Sequence, residues 1–377
     1  MSVRPSALLS AALSFFLVTL NASMTTAALP SIGRDLPGSG PAWVLTGYSL
    51  VFALCLLPAG AWADRVGATR AFVAGVGAFA LTSVVCAVAR SLDVLLVARA
   101  FQGAAAAVVL PAGLAMVNSA ATDPAARAAA VGRWAAAGAV ALVVGSPLGG
   151  AITSGLGWRT TFWLNLPVSL LVVAVGRRIS STPTPASLAG VATLVRSGPV
   201  LISSVTGFAL NFASYGAIFV VTLLLQQELG RSAWETGLVF VPMTLLIVPA
   251  NLVAGRIGLV GALRGGQVLM AVGLLGLCFG GTEVWELVGW LLPIGVGAGL
   301  VAPSATTLML GGVPAERGGL ASGLLNAARQ LGSGAAPAVF GALLGGAHFL
   351  AGYRISILIA LAVIALPLAA RPRALVA

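Results

Sequence analysis

The sequence has no lysine, and all 20 of its basic residues are arginine. Without lysine it has no phosphate-binding G-x-x-x-x-G-K-[ST] loop, which excludes ATP-driven pumping by this chain. Its single histidine, His348, excludes histidine-based metal sites and Ser–His catalysis. The cysteines Cys55, Cys86 and Cys278 lie far apart in apolar runs, so we expect packing residues and not a disulfide or metal framework.

Charged residues of both signs are scarce, at 8% of the chain, while 59% of the residues are hydrophobic and the mean hydropathy is +1.05. A soluble domain has about 25% charged residues, so these values predict an all-α membrane protein. The formal charge of +11 would suggest a nucleic-acid partner in a soluble protein. Here most arginines lie in short gaps between apolar runs, as in membrane proteins, and we expect no nucleic-acid binding.

The apolar runs predict twelve transmembrane spans, since one span needs about 20 apolar residues. The predicted spans are 7–30, 43–63, 70–90, 94–118, 127–151, 159–176, 197–226, 234–255, 264–282, 285–310, 318–346 and 351–370. The least apolar segment, 177–196, divides them six and six. We therefore predict a six-helix bundle over 1–176, a cytoplasmic linker over 177–196 and a second six-helix bundle over 197–377.

The arginines between the spans predict the orientation. Thirteen lie in gaps on the side of both termini and five on the other side. Because cytoplasmic loops are enriched in basic residues, both termini are expected in the cytoplasm, in a multi-pass protein of the cell membrane.

The two halves of the chain repeat. Pairs separated by 191 residues include Trp43–Trp234, Pro58–Pro249, Arg65–Arg256 and Gly67–Gly258, and Pro111–Pro303 follows at 192. These matches predict two pseudo-symmetric bundles related by an axis along the membrane normal.

The loop between the second and third spans contains the strongest motif, with glycine, acid and arginine at Gly60, Asp64, Arg65, Gly67 and Arg70. It resembles the Gly-x-x-x-Asp-Arg-x-Gly-x-Arg-Arg signature of the major facilitator superfamily. The glycines allow a tight turn, and Asp64 is placed to accept hydrogen bonds from backbone donors at a neighbouring helix N-terminus. The resemblance implies a secondary transporter that works by alternating access, with its substrate bound between the halves.

In the fourth span, Arg99-Ala-Phe-Gln102-Gly103 resembles the Arg-x-x-Gln-Gly motif of that family, which implies a place in or beside the central cavity. Three other segments resemble the drug–proton antiporter branch of the family: the first-span stretch 20–30, the Trp158–Pro167 stretch and the eleventh-span stretch 319–332. The fifth span also resembles the antiporter signature at Gly145, Pro147, Gly149 and Gly150, where small residues allow close helix packing and the proline a hinge. That branch usually has fourteen spans, against twelve here.

One departure bears on the coupling of transport to protons. The first-span aspartate of the branch is Asn21 here, and no other carboxylate lies deep in a predicted span. Asparagine cannot titrate, and arginine effectively keeps its proton. Coupling through Asp64 or Glu228 at the span ends stays open, as does a facilitator without coupling.

We expect export of a small organic or amphipathic compound by a monomer in the lipid bilayer, without a cofactor or metal, and with protons as an open coupling partner. Candidate cavity residues are Asn21, Thr25, Arg99, Gln102, Asn211, Tyr215, Ser304, Asn326, Arg329 and Gln330. Serine and threonine often bond their own helix, and Arg99 could instead extend to the membrane surface. Arg329 either bonds backbone carbonyls or lines the cavity and favours anionic or carbonyl-rich cargo.

Three alternatives remain beside export. Uptake of a metabolite is disfavoured by the antiporter-like fifth span. A non-transporting sensor or scaffold would lack an output domain. A membrane-embedded enzyme would lack a buried nucleophile–base pair.

Overall fold

The protein is all-α in a computed structural model, which describes residues 5–38, 40–120, 124–177, 197–313, 317–344 and 348–369. The helices of the first half are α1 Pro5–Asp35, α2 Trp43–Val66, α3 Ala68–Val88, α4 Leu92–Ala120, α5 Pro124–Leu156, α6 Arg159–Trp163 and α7 Asn165–Gly176. Those of the second half are α8 Gly198–Leu223, α9 Ala233–Val239, α10 Val241–Ile257, α11 Leu259–Phe279, α12 Val284–Gly311, α13 Gly318–Leu344 and α14 Phe349–Ala365. The expectation of an all-α membrane protein is confirmed.

Eleven helical segments of the described residues are long and apolar enough to cross a membrane. The predicted sixth span consists of α6 and α7, and the eighth of α9 and α10. Helix α13, the predicted eleventh span, is not among the eleven, because Arg329 and Gln330 lower its hydropathy. Some predicted ends were too short, since α1 continues past Pro30 to Asp35.

The chain divides into two compact units, Met1–Ser187 and Leu188–Ala377. Apart from Arg177, the predicted linker 177–196 lies outside the described residues. In the first unit α1 packs on α5, α4 packs on α2 and α3, and α7 packs on α1 and α3. In the second unit α8 packs on α13, α12 packs on α10 and α11, and α14 packs on α8 and α11. The same packing therefore occurs in both units, as the repeated sequence predicts.

The repeat extends to two pairs of glycines. Gly67 and Gly258, 191 residues apart, have φ angles of +93° and +86° at the turns that follow α2 and α10. A side chain is strained in that conformation, so only glycine suits these turns. At Gly103 a Cβ atom would collide with the carbonyl oxygen of Tyr48, and the repeated Gly295 makes the equivalent backbone approach from α12 to α10. Gly103 and Gly295 therefore let neighbouring helices pack with their backbones in contact.

Candidate functional site

A buried polar network joins five helices of the first unit, with Arg99 of α4 at one end. The Arg99 side chain is 1% exposed. Its Nε donates a hydrogen bond to the Val44 carbonyl oxygen of α2 at 3.0 Å, and a terminal nitrogen donates to Gln102 Oε1 at 2.5 Å. Arg99 therefore points into the bundle and does not extend to the membrane surface.

The network continues from Gln102 to α1. Gln102 Nε2 donates to Ser83 Oγ of α3 at 2.6 Å. The same oxygen accepts a bond from Asn165 Nδ2 of α7 at 3.2 Å, and Asn165 Nδ2 also donates to Asn21 Oδ1 at 2.8 Å. Two predicted residues of the first span and the fourth, Asn21 and Gln102, are thus connected through Ser83 and Asn165.

The Arg99 charge is stabilised by aromatic rings and not by an acid. Its guanidinium carbon lies 4.0 Å from the centroid of the Tyr48 ring and 5.9 Å from that of Phe162. Among the described residues the two ion pairs join Arg159 to Asp35 and Arg231 to Glu235, so neither involves Arg99. Cation–π contacts and hydrogen bonds stabilise this buried cation, and the network holds a net positive charge.

Two atoms at the α1 end of the network have no hydrogen-bond partner among the described residues. These are Asn21 Nδ2 and Asn165 Oδ1, a donor and an acceptor that are both buried. Thr25, one turn after Asn21, donates to the Asn21 backbone oxygen at 2.7 Å, so its hydroxyl bonds its own helix. Buried polar groups without partners cost free energy, so each of these two atoms would gain from a hydrogen bond to a polar group that reached it.

The antiporter-like glycines of α5 pack against α1 next to Asn21. A Cβ atom at Gly145 would collide with Ser23, and one at Gly149 would lie 2.6 Å from Met24 Cα. Gly150 is buried as well, and the helix continues without interruption through Pro147. The motif therefore forms a close helix contact, and the expected hinge does not break α5.

The polar network has an apolar counterpart in the second unit. In the register of the repeat, Arg99 and Gln102 correspond to Leu291 and Ile294, and Ser83 corresponds to Leu274. All three second-unit residues are fully buried hydrophobic side chains. Two similarly folded bundles thus differ in charge and polarity at this position.

Among the candidate residues of the second unit, Arg329 forms hydrogen bonds to two residues of a neighbouring helix. One terminal nitrogen donates to the Ala302 carbonyl oxygen of α12 at 2.8 Å and to Thr306 Oγ1 at 3.0 Å. Its Nε is buried and has no hydrogen-bond partner in the described part of the chain, and its side-chain stem lies against Gly207 of α8. The guanidinium therefore bonds a backbone carbonyl, as one of the two interpretations expected, and keeps an unsatisfied donor.

The remaining second-unit candidates are not joined into one network by the hydrogen bonds found in the described residues. Ser304 donates to Leu300 O of its own helix at 2.8 Å. Gln330 Oε1 accepts a bond from Ser333 Oγ at 3.2 Å, and Asn326 is exposed. Asn211 and Tyr215, one turn apart on α8, are half-buried.

The signature loop agrees with the sequence prediction in its turn but not in its acid. Gly67 has a positive φ angle at the turn between α2 and α3, and Arg65 and Arg70 are exposed. Asp64 and Gly60 are half-buried. Within the described residues Asp64 accepts no hydrogen bond, so the expected bond to a helix N-terminus is absent.

A second polar cluster, which the sequence did not reveal, joins the ends of α1, α3 and α6. Asp35 forms an ion pair with Arg159 and accepts a hydrogen bond from Trp158 Nε1 at 3.0 Å. Arg159 also donates to the Ala89 carbonyl oxygen at 2.8 Å and lies over the Trp158 ring. No motif marks Asp35, whose partner is 124 residues away.

Comparison with known proteins identifies relatives over most of the chain. The family model of the Major Facilitator Superfamily matches residues 11–337. The multidrug resistance protein Stp of Mycobacterium tuberculosis is 30% identical, over 89% of this chain and 75% of its own length. The methylenomycin A resistance protein of Streptomyces coelicolor is 27% identical, over 88% of this chain and 83% of its own length.

Two solved structures share the fold. A bacterial homologue of the human lysosomal transporter Spinster, in an inward-facing unoccupied conformation, matches with a TM-score of 0.76 and 18% identity, over 97% of this chain and 96% of its own. The human organic anion transporter MFSD10 matches with a TM-score of 0.73 and 18% identity, over 97% of both chains.

Proposed function

Because the chain belongs to the Major Facilitator Superfamily, we propose that it exports a small organic or amphipathic compound across the cytoplasmic membrane by alternating access. The chain is a multi-pass membrane transporter and not an enzyme. The observation that supports export is that relatives aligned with nearly nine-tenths of the chain are named for resistance to drugs or to methylenomycin A. A further relative, of Streptomyces glaucescens, is named a tetracenomycin C resistance and export protein, so the same direction is proposed here.

The cargo site of the first unit is proposed at the α1 end of the Arg99 network. Asn21 Nδ2 offers a hydrogen-bond donor, and Asn165 Oδ1 an acceptor. A cargo with a carbonyl group and a hydroxyl or amide group can form hydrogen bonds to both atoms. Because both atoms are buried, leaving either without a hydrogen bond costs free energy. The connected Gln102, Ser83 and Arg99 then keep the two amides in position.

Cargo selectivity in the second unit is proposed to depend on Arg329. Its Nε lacks a partner, and Asn326 and Gln330 lie within one turn of it on α13. No acid of the described residues pairs with this guanidinium. The proposed consequence is a preference for anionic or carbonyl-rich cargo.

Transport without proton coupling is the second candidate function, and the composition of the network favours it. Asparagine, glutamine and serine do not titrate, and arginine effectively keeps its proton. The network therefore has no group whose charge changes near neutral pH. If transport is proton-driven, Asp64 or Glu228 at the helix ends is the remaining candidate.

Both termini and the segment 177–196 are proposed to be cytoplasmic, in accordance with the arginine distribution. The test is Pro185→Cys on a background without other cysteines, labelled in intact cells. Labelling of this position by an impermeant reagent from outside would overturn the orientation.

The export proposal is tested in an efflux-deficient bacterial host exposed to a panel of antibiotics and dyes. The wild-type chain is expected to raise resistance and to lower accumulation of at least one compound. Arg99→Leu, which introduces the residue of the second unit, should lose both effects at the same membrane level. Arg354→Gln, an exposed arginine outside the network, is the matched control. If the amount of a compound inside the cells rises with expression of the chain, uptake would be favoured instead.

A further inference from the structure

A groove of about 840 Å³ runs along the surface of the first unit between α3 and α4. Its lining includes the small residues Ala74, Ala78 and Ala104, with Leu81 and Phe101 as large side chains that project from the two helices. Leu81 and Phe101 are 67% and 65% exposed. The volume lies in the range of about 300–1,000 Å³ that is typical of small-molecule sites.

The groove is suited in length to a single acyl chain. Its lining on α4 extends from Asp93 to Val108, which is about 22 Å at the helical rise. Half of a bilayer's hydrocarbon core is about 15 Å thick, so a chain from one leaflet fits along it. At the far end Val108 contacts Gly75 of α3, where a Cβ atom would lie 3.0 Å from the valine side chain.

The charged residue of the groove's lining, Asp93, lies at the beginning of a membrane-spanning helix, where a lipid headgroup would be. Thr82 donates to the Ala78 carbonyl oxygen of its own helix at 2.8 Å, so it needs no ligand. Asp93, in the first turn of α4, lines the end of the groove. Arg90 precedes α4 by two residues and, like Asp93, is exposed. In the described part of the chain neither side chain has an ion pair or hydrogen bond. The unpaired negative charge of Asp93 lines the groove, and the unpaired positive charge of Arg90 lies three residues before it, in the connection between α3 and α4.

We propose that this groove binds one phospholipid with a zwitterionic primary-amine headgroup. The acyl chain lies between α3 and α4, the ammonium group pairs with Asp93, and the phosphate pairs with Arg90. Each contact is a charge-assisted hydrogen bond close to the membrane interface. An anionic phospholipid would leave Asp93 without a cation, and a cationic amphiphile would leave Arg90 without an anion. The site lies within the first unit and is independent of the direction of transport.

The test uses the full-length purified protein, stripped of lipid in detergent and titrated with phosphatidylethanolamine in native mass spectrometry. Phosphatidylglycerol and phosphatidylcholine with the same acyl chains are the comparison lipids. We expect one phosphatidylethanolamine to bind about tenfold more tightly than phosphatidylglycerol. Asp93→Asn should remove this preference, and Ala78→Phe, which fills the groove, should abolish binding.

Two matched variants control for general effects. Glu283→Gln removes an exposed acid elsewhere, and Leu170→Phe enlarges an exposed apolar residue of α7 outside the groove; both should bind like the wild type. Val97→Phe fills the groove from α4 and replaces Ala78→Phe if that variant aggregates. Equal affinity for all three lipids, or unchanged binding in the groove-filling variants, would overturn the proposal. The proposal would also be overturned if the protein bound an alkylammonium amphiphile and showed no preference among the three lipids, since the groove would then be a site for an amphipathic cation.

Discussion

The contact between α5 and α1 allows a quantitative prediction at Gly149. In Gly149→Ala the new Cβ atom would lie 2.6 Å from Met24 Cα and 3.0 Å from Met24 Cβ. A Cα and a Cβ atom cannot rotate away as the end of a long side chain can. The two helices must therefore separate, and the packing of Met24 with Leu20 and Ala141 loosens.

The expected magnitude follows from a comparison with Gly155→Ala in the same helix. At Gly155 no described atom other than the neighbouring backbone of the same helix lies within 4 Å of the new Cβ. Both substitutions share the propensity gain of alanine over glycine, which is at most about 1 kcal/mol. Only Gly149→Ala also incurs overpacking, which costs about 1–3 kcal/mol. The free energy of unfolding should thus be lower for Gly149→Ala than for Gly155→Ala by about 1–3 kcal/mol.

A thiol-reactive fluorogenic dye can measure this difference, because Cys86 and Cys278 are free and buried in the folded protein. We expect Gly149→Ala to melt at a lower temperature than the wild type in the same detergent, and Gly155→Ala to melt at the same temperature or higher. Gly145→Ala should follow Gly149→Ala, since its Cβ atom collides with Ser23. Equal melting of Gly149→Ala and Gly155→Ala would refute the close contact between α5 and α1.

Three further predictions concern transport. Asn21→Asp should make the flux in vesicles depend on pH, because a buried carboxyl group can titrate and an amide cannot. Strong proton-driven flux in the wild type would contradict this expectation. Arg329→Met should abolish transport of anionic cargo and leave the melting temperature within a few degrees, because methionine can fill the space of the arginine stem and Thr306 still donates to the Ala302 carbonyl oxygen of its own helix. Full activity would exclude a cargo role. Asp64→Asn should lower transport far more than Glu283→Gln at matched membrane levels, and equal rates would show that the signature loop serves only topology.

The two units also differ in a way that the repeated fold does not require. The same packing of helices surrounds Arg99 in one unit and Leu291 in the other. A buried cation without an acid is costly, and Tyr48 and the Val44 carbonyl oxygen offset that cost only where they are present. The polar network is therefore a property of the first unit, and we expect Arg99→Leu to impair transport more than folding.

The sequence by itself determined the membrane fold, the helices and the repeat, because these depend on local hydropathy and on glycines at turns. A run of apolar residues between charges must span the bilayer whatever it packs against. Gly67 and Gly258 could be identified as turn residues for the same reason, since their backbone conformation is a local requirement.

Only the tertiary structure decided which polar residues meet. The Asn21–Asn165 bond joins residues 144 positions apart, and Ser83 enters the network 19 positions from Gln102. No periodicity distinguishes these side chains from the other small polar residues of the same helices, such as Thr26 beside Asn21 and Thr82 beside Ser83. Whether Arg99 pointed to the interface or into the bundle likewise depended on Tyr48 and Val44 of a different helix. Such contacts arise from helix packing, and the order of residues along one helix does not encode them.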